Sequence, residues 1–168
     1  MNKPMMDNRD IGCIKNELLN FEVDELSVLE WGAGFSTLYF TRFLADHDIS
    51  FRWDAIEHDP KWYFRIHEQN ELVGLKIHFF IEPNPADKEA MAIAEMKNYI
   101  NCPRMIGRKY DVIIVDGRQR NKCLGMAQQF IKEDGVIFLH DAQRERHREI
   151  IKRYKGEHLT KTLCIMRK

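Results

Sequence analysis

Four acids in this chain fall at or just past the ends of apolar, strand-like runs: Glu30, Glu57, Asp116 and Asp141. Glu30 closes the first run. It is followed by Trp31-Gly32-Ala33-Gly34-Phe35-Ser36-Thr37, where two glycines one residue apart lead into a helix-like segment. Glycine permits the unusual φ/ψ of a tight turn, and its missing Cβ lets a ligand approach the main chain. Twenty-seven residues past Glu30, the run Phe51 to Ile56 ends in Glu57. A glycine-rich first turn with an acid at the end of the next strand is how a parallel sheet holds the ribose of a nucleoside-bearing ligand. The dinucleotide pattern G-x-G-x-x-G lacks its third glycine here. A carboxylate at Glu30 would repel a pyrophosphate but accept hydrogen bonds from an amino or hydroxyl group; capping the following helix is the other role open to it. The turn therefore suits a cationic or neutral ligand better than a diphosphate.

The other two acids come with different company. Asp116 lies one residue past the apolar run Tyr110 to Val115, and Gly117-Arg118-Gln119-Arg120-Asn121-Lys122 follows. An unpaired carboxylate inside a core is costly, so Asp116 is expected in a cleft. Guanidinium groups pair well with carboxylate or phosphate. Arg118 and Arg120 are thus candidates for holding an anionic substrate; neutralising Asp116 or Asp141 is the other role open to them. His140 and Asp141 end a further strand. Adjacent strand residues point to opposite faces, so the two are not expected to act as one dyad. Asp116 and Asp141 on neighbouring parallel strands about 4.8 Å apart are easier to bring together. Two such acids can hold Mg²⁺ or Mn²⁺. Asp116, His140 and Asp141 are the candidates for lowering the pKa of a reacting group, with the choice among them open.

Alternating strand and helix periods position these residues. The reading gives a leading helix over 10–20, strands over 27–30 and 51–56, and helices over 36–45 and 60–71. It continues with strand 75–81, helix 88–100 broken by Pro103 and Gly107, strand 110–115, helix 122–132, strand 136–139, a charged helix 143–154 and a last strand within 159–166. Asp59 reads as the cap of the helix begun by Pro60. Glu82 or Asn84 could reach the adenine edge of a bound nucleoside, and the 82–109 segment is the expected acceptor wall. Strands joined by helices of crossover length imply an α/β fold. The expected form is a Rossmann-like three-layer sandwich with a mostly parallel central sheet, helices on both faces and the site at the strands' carboxyl ends. One domain over 1–168 is expected, with 1–24 as a helical lead-in.

The balance of 26 basic and 26 acidic residues gives no global field to recruit nucleic acid or a membrane surface. No apolar run approaches the roughly 20 residues of a membrane span, and the first twenty residues carry no signal-peptide pattern. The four cysteines, Cys13, Cys102, Cys123 and Cys164, show no metal-ligand spacing. A reduced, cytoplasmic setting is expected. The charges of 144–155 read as a solvated helix face.

These residues together resemble the class I S-adenosylmethionine-dependent methyltransferases. Glu30 to Thr37 looks like the first motif of that superfamily, with serine in place of the last glycine, and Ala55-Ile56-Glu57-His58-Asp59-Pro60-Lys61-Trp62 looks like the second. More narrowly, Asp111 to Cys123 is similar to an LVDGR-x-R-x-x-C signature and Gly135 to Arg144 to the GG-x-hhhHDA-x-R segment that follows it. These occur together in a group of small methyltransferases distantly similar to plant glucuronoxylan O-methyltransferases. The resemblance covers about residues 9 to 155. The chain departs from it at Lys132-Glu133-Asp134-Gly135, where a second glycine is common, and in a short C-terminal region where the superfamily has a strand hairpin.

The resemblance implies S-adenosylmethionine as cofactor, held by Glu30, Gly32, Gly34, Ser36, Glu57, His58 and Asp116, with Glu57 on the ribose. It implies methyl transfer, O-directed, to a small or carbohydrate-like acceptor, and in some relatives a divalent cation. An NAD(P)-dependent oxidoreductase is the rival enzyme class, opposed by the missing third glycine and the lack of a Tyr-x-x-x-Lys pair. A non-catalytic nucleoside-binding domain of the same fold is the other rival.

Overall fold

A computed structural model of the chain describes residues 3–80 and 96–168. Chain order gives α1 (Asn8–Leu19), β1 (Leu26–Trp31), α2 (Phe35–Asp46), β2 (Phe51–Glu57), α3 (Pro60–Gln69) and β3 (Leu75–Phe79). Then follow α4 (Lys97–Ile106), β4 (Tyr110–Val115), α5 (Arg120–Phe130), β5 (Ile131–His140), a 3₁₀ turn (Glu145–His147), α6 (Arg148–Arg153), β6 (Glu157–His158) and β7 (Leu163–Arg167). The strands form one sheet in the order β3-β2-β1-β4-β5-β7-β6. The first five are mutually parallel, and β7 runs antiparallel to β5 and to β6.

Every residue of β1 and β4 is buried, as expected of central strands covered on both sides. Side-chain alternation divides the core in two. Leu29, Trp31, Ile113, Val115, Ile137 and Leu139 pack with Tyr99 and Cys102 of α4 and Cys123, Leu124 and Ala127 of α5. Val28, Val112, Ile114, Val136 and Phe138 pack with Ile11, Ile14 and Leu18 of α1 and Phe40 and Leu44 of α2. Each fully buried aliphatic side chain contributes about 1.5–3 kcal/mol. The architecture is thus the expected three-layer α/β sandwich.

Several boundaries differ from the sequence reading. α4 runs through Pro103 to a left-handed Gly107 cap. Proline lacks the N–H that would bond the carbonyl four residues back. That carbonyl, Tyr99 O, accepts instead from Trp31 Nε1 at 3.0 Å. The strand expected over 136–139 starts at Ile131, directly after α5; its pairing with β4 shifts between Tyr110–Ile131 and Val112–Val136, and Asp134-Gly135 falls within that irregularity. The charged helix expected over 143–154 is a 3₁₀ turn and a short α6. The C-terminal segment keeps a hairpin of two short strands. Residues 88–95 of the helix read over 88–100, and Glu82, Asn84 and half of the expected acceptor wall, lie outside the described residues. Among the described residues no helix is long and apolar enough to cross a membrane.

Candidate active site

A cleft of about 460 Å³ opens at the carboxyl ends of β1, β2, β4 and β5, within the range of ligand pockets in general. Its walls are the turns that follow each strand. After β1 come Gly32 to Ser36; after β2, Glu57 to Asp59; after β4, Asp116 to Arg118 with Arg120; after β5, His140 and Asp141. Met5, Phe35 and Trp62 add apolar surface, the two rings meeting edge-on at 5.3 Å. Trp31, beside the same turn, is buried in the core.

The β1–α2 turn is held from within by Glu30. Its carboxylate is fully buried and accepts hydrogen bonds from Ser36 Oγ and Thr37 Oγ1, each at 2.7 Å, and from Trp53 Nε1 at 3.0 Å. Thr37 Oγ1 in turn accepts from Gly34 N at 3.0 Å. The sequence reading aims Glu30 at the ligand. The structure spends its lone pairs on the turn and the start of α2, and Glu30 is absent from the cleft wall. Burial pushes its pKa up to about 7, against the three hydrogen bonds that pull it down.

The two glycines differ in what requires them. Gly32 has φ +96°, and a Cβ there would lie 2.7 Å from Gly117 Cα. The β1 and β4 turns therefore touch backbone to backbone, which the bond from Asp116 N to Trp31 O at 3.0 Å reinforces, while Gly32 N donates to Ile56 O of β2 at 2.9 Å. Gly34 is extended, and a Cβ there would meet only Ser36 Oγ, at 4.0 Å. Among the described residues no contact requires glycine at 34; its missing side chain leaves open a place on the cleft wall where a ligand can approach the main chain.

Glu57 ends β2, and its Oε1 accepts from the backbone N–H groups of His58 and Asp59, both at 2.8 Å. His58 Nδ1 lies 2.9 Å from the same oxygen. Oε2 has no partner among the described residues. Asp59 caps α3 through Lys61 N at 2.8 Å. A carboxylate with one oxygen fixed and the other available is the arrangement a ribose diol needs.

At the other end of the cleft the residues after β4 and β5 form a charge network. Asp116 Oδ1 lies 2.8 Å from His140 Nδ1 and 3.1 Å from Arg120 Nη2. Asp141, at φ +56°, meets Arg120 Nη1 at 3.0 Å and Arg144 Nη2 at 2.5 Å through Oδ2. Asp116 and Asp141 thus share one guanidinium, on a common cleft. Arg120 also donates to three carbonyls, from Nε to Gly117 O, Nη1 to His140 O and Nη2 to Asp116 O. Of the two roles open to Arg120, the structure gives it the neutralising one. Arg118 lines the cleft without an ion pair among the described residues.

Burial alone would raise the Asp141 pKa, but Arg120, His140 and Arg144 outweigh it and hold the carboxyl below its ordinary value. Burial likewise pushes the His140 ring toward neutrality, but Asp116, with Asp141, holds its pKa above the ordinary value. Asp116, His140 and Asp141 offer three ligand atoms within 4.8 Å of one another. Yet the arrangement does not fit the Mg²⁺ or Mn²⁺ expected at Asp116 and Asp141. A hard cation needs several oxygen ligands around it, and here the Arg120 guanidinium already bridges the two acids.

Two partners were not legible in the sequence. Trp53, one strand over on β2, donates to Glu30. Asp10 of α1 lies 3.4 Å from His140 Nε2. Neither carries a local pattern, since each contact is made only when distant segments pack.

No protein-family model matches the chain, and no curated protein matches it. Solved structures do. A methyltransferase-like protein from Silicibacter pomeroyi DSS-3 superposes with TM-score 0.72 at 16% identity, covering 98% of this chain and 87% of that one. Precorrin-6y C5,15-methyltransferase from Geobacter metallireducens GS-15 gives 0.63 at 13%, covering 100% and 94%. The MycE methyltransferase of mycinamycin biosynthesis, solved with Mg, SAH and mycinamycin VI, gives 0.62 at 13%, covering 94% of this chain and 45% of that one. The strand order, the antiparallel β7 and these superpositions agree: the chain has the α/β Rossmann-like fold of methyltransferases.

Proposed function

We propose that the chain is an S-adenosylmethionine-dependent methyltransferase, O-directed, acting on a small or carbohydrate-like acceptor that carries an anionic group. One observation carries the reading. A single cleft holds a carboxylate with a free oxygen at the end of β2 and an Asp116–His140 pair at the ends of β4 and β5. The ends of β4 and β5 lie two and three strand spacings from the end of β2, about 10 and 15 Å, which suits an extended nucleoside with its reacting group at the far end. The open main chain at Gly34 supports contact with the part between. MycE, a protein of the same fold, is bound to SAH in its structure.

The cofactor supplies a sulfonium methyl group as the electrophile, and the protein's work is to align the nucleophile and take its proton. Glu57 holds the ribose through Oε2. Among the strand-end groups, Asp141 is held ionised by two arginines, which makes it a poor base, and both ring nitrogens of His140 already face carboxylates. Asp116 shares only one of those arginines, and both of its contacts fall on Oδ1; it takes the acceptor's hydroxyl proton as the oxygen–carbon bond forms and the carbon–sulfur bond breaks. Arg118 pairs with the acceptor's anionic group. The resemblance to glucuronoxylan O-methyltransferases supports a carbohydrate-like acceptor.

Calorimetry with S-adenosylhomocysteine and with NAD tests the cofactor. Binding of the first alone is expected, and binding of NAD alone would overturn the reading. Methyl transfer from labelled donor to hydroxylated carboxylates and phosphates, set beside neutral alcohols, tests the acceptor. Preference for every neutral compound would remove the anionic group from the proposal. Donor binding with no turnover on any acceptor would favour the non-catalytic domain.

A further inference from the structure

Asp10 is a fully buried acid on the first turn of α1, and no step above uses it. Asp7 caps that helix by accepting from Arg9 N and Asp10 N. Asp10 Oδ1 accepts from Thr160 Oγ1, and Oδ2 accepts from Thr162 Oγ1 at 2.6 Å. The same Oδ2 lies 3.4 Å from His140 Nε2. On the other side of the ring, His140 Nδ1 lies 2.8 Å from Asp116 Oδ1. Each ring nitrogen therefore faces a carboxylate oxygen. A neutral imidazole carries one N–H, so one of its lone pairs would point at an anion. Both contacts are attractive only when both nitrogens carry protons. The charged groups that bear on the ring are Asp10 from α1, Asp116 from the end of β4, Asp141 beside it, Arg120 from α5 and, more remotely, Asp7. Acids outnumber the one base, which favours the doubly protonated ring.

We infer that Asp10 is a positioning residue for the cleft: it grips His140 from the core side, holds Nδ1 toward Asp116, and so fixes the Asp116 carboxylate that lines the site. Two threonines between β6 and β7 hold Asp10 in turn. Asp10 thus links the first helix to the last hairpin directly, and reaches the proposed base through the ring. The kinetic consequence rests on the methyltransferase reading; the state of the ring does not.

The test is ¹⁵N spectroscopy of histidine-labelled protein near neutral pH, on wild type and Asp10→Asn, with calorimetry and kinetics on both. In wild type, both nitrogens of His140 are expected at the shift of protonated imidazole. A ring with one proton there overturns the proposal without any variant. In folded Asp10→Asn, Nε2 is expected to lose its proton signature while Nδ1 keeps its bond to Asp116. An unchanged His140 spectrum overturns the proposal. S-adenosylhomocysteine affinity is expected to stay within about twofold, and kcat to fall roughly 10- to 100-fold, the scale of a misplaced reacting group. Asp10→Glu should recover part of that loss. A fall in cofactor affinity with kcat preserved would also overturn it. Failure of wild type to bind S-adenosylhomocysteine overturns the methyltransferase reading, and the ring spectrum then still decides Asp10.

Discussion

Glu30 and Glu57 close neighbouring strands and are nearly indistinguishable in sequence, yet they do opposite work. Glu57 keeps one oxygen without a partner among the described residues. Replacing it by alanine in a folded protein is expected to cost at least about 1.5 kcal/mol of S-adenosylhomocysteine binding, the scale of a charge-assisted hydrogen bond. Calorimetry measures this, and equal affinity would remove Glu57 from the site. Glu30 keeps none. Its folded pKa of about 7 stands above its ordinary 4.5. The stabilisation is therefore complete below 4.5 and declines as pH rises through about 7, at up to about 1.4 kcal/mol per pH unit. Glu30→Gln removes this titration. Denaturant midpoints of the two proteins should therefore differ in favour of wild type most at about pH 5 and least at about pH 8. A difference that does not change with pH would contradict the buried, protonatable Glu30.

At the scale of the element, Arg120 is the first residue of α5 and ties the ends of β4 and β5 together. Arg120→Gln leaves Asp116 and Asp141 without their shared cation. The expected loss is about 2 kcal/mol of stability, less than for a fully buried pair because both acids keep some water. Arg118→Gln should leave stability alone and raise KM for an anionic acceptor, with cofactor affinity preserved. Thermal melts and steady-state kinetics on the two variants separate these roles, and interchanged phenotypes would refute the assignment. Because a guanidinium stands between the acids, turnover is expected to be indifferent to EDTA and to added Mg²⁺ or Mn²⁺. A metal requirement would contradict that arrangement. The elements themselves were largely legible. β1 and β4 announce themselves as mainly apolar runs, and Asp59-Pro60 marks the start of α3. Pro103 misleads, because a local rule reads it as a break while Trp31, 68 residues away in sequence from the Tyr99 carbonyl it meets, repairs the missing bond. The 143–154 segment misleads in the other direction: its charge pattern suits a helix, but half of it is a turn that packs His147 against Asn121.

For the molecule as a whole, the sequence shows which residues can reach the cleft, because strand ends gather on one edge of a parallel sheet. It does not show which of them are spent on each other. Arg118 and Arg120 look alike until β5 supplies Asp141, and Asp10 is silent until the chain closes. Helix α1 matters for the same reason. It buries Ile11, Ile14 and Leu18 against one face of the sheet, roughly 5–9 kcal/mol at the usual scale per side chain, against a typical domain stability of about 5–15 kcal/mol. A chain beginning after residue 22 is expected to lose its cooperative unfolding transition, as urea titration would show. A sharp transition near the wild-type midpoint would contradict this role for α1.

The bonds from Asp10 to Thr160 and Thr162 span 150 and 152 residues. On a ribosome the helix end of that link emerges long before the hairpin end. At about 5–20 residues per second, the wait is roughly 10–30 s. Throughout it, Asp10 has no threonine to bind and His140 is for most of the time not yet made. A fragment stalled before Thr160 should therefore hold most of the sheet while Asp10 still lacks the two threonines that anchor it. The anchoring of Asp10 waits on the synthesis of the segment that carries Thr160 and Thr162.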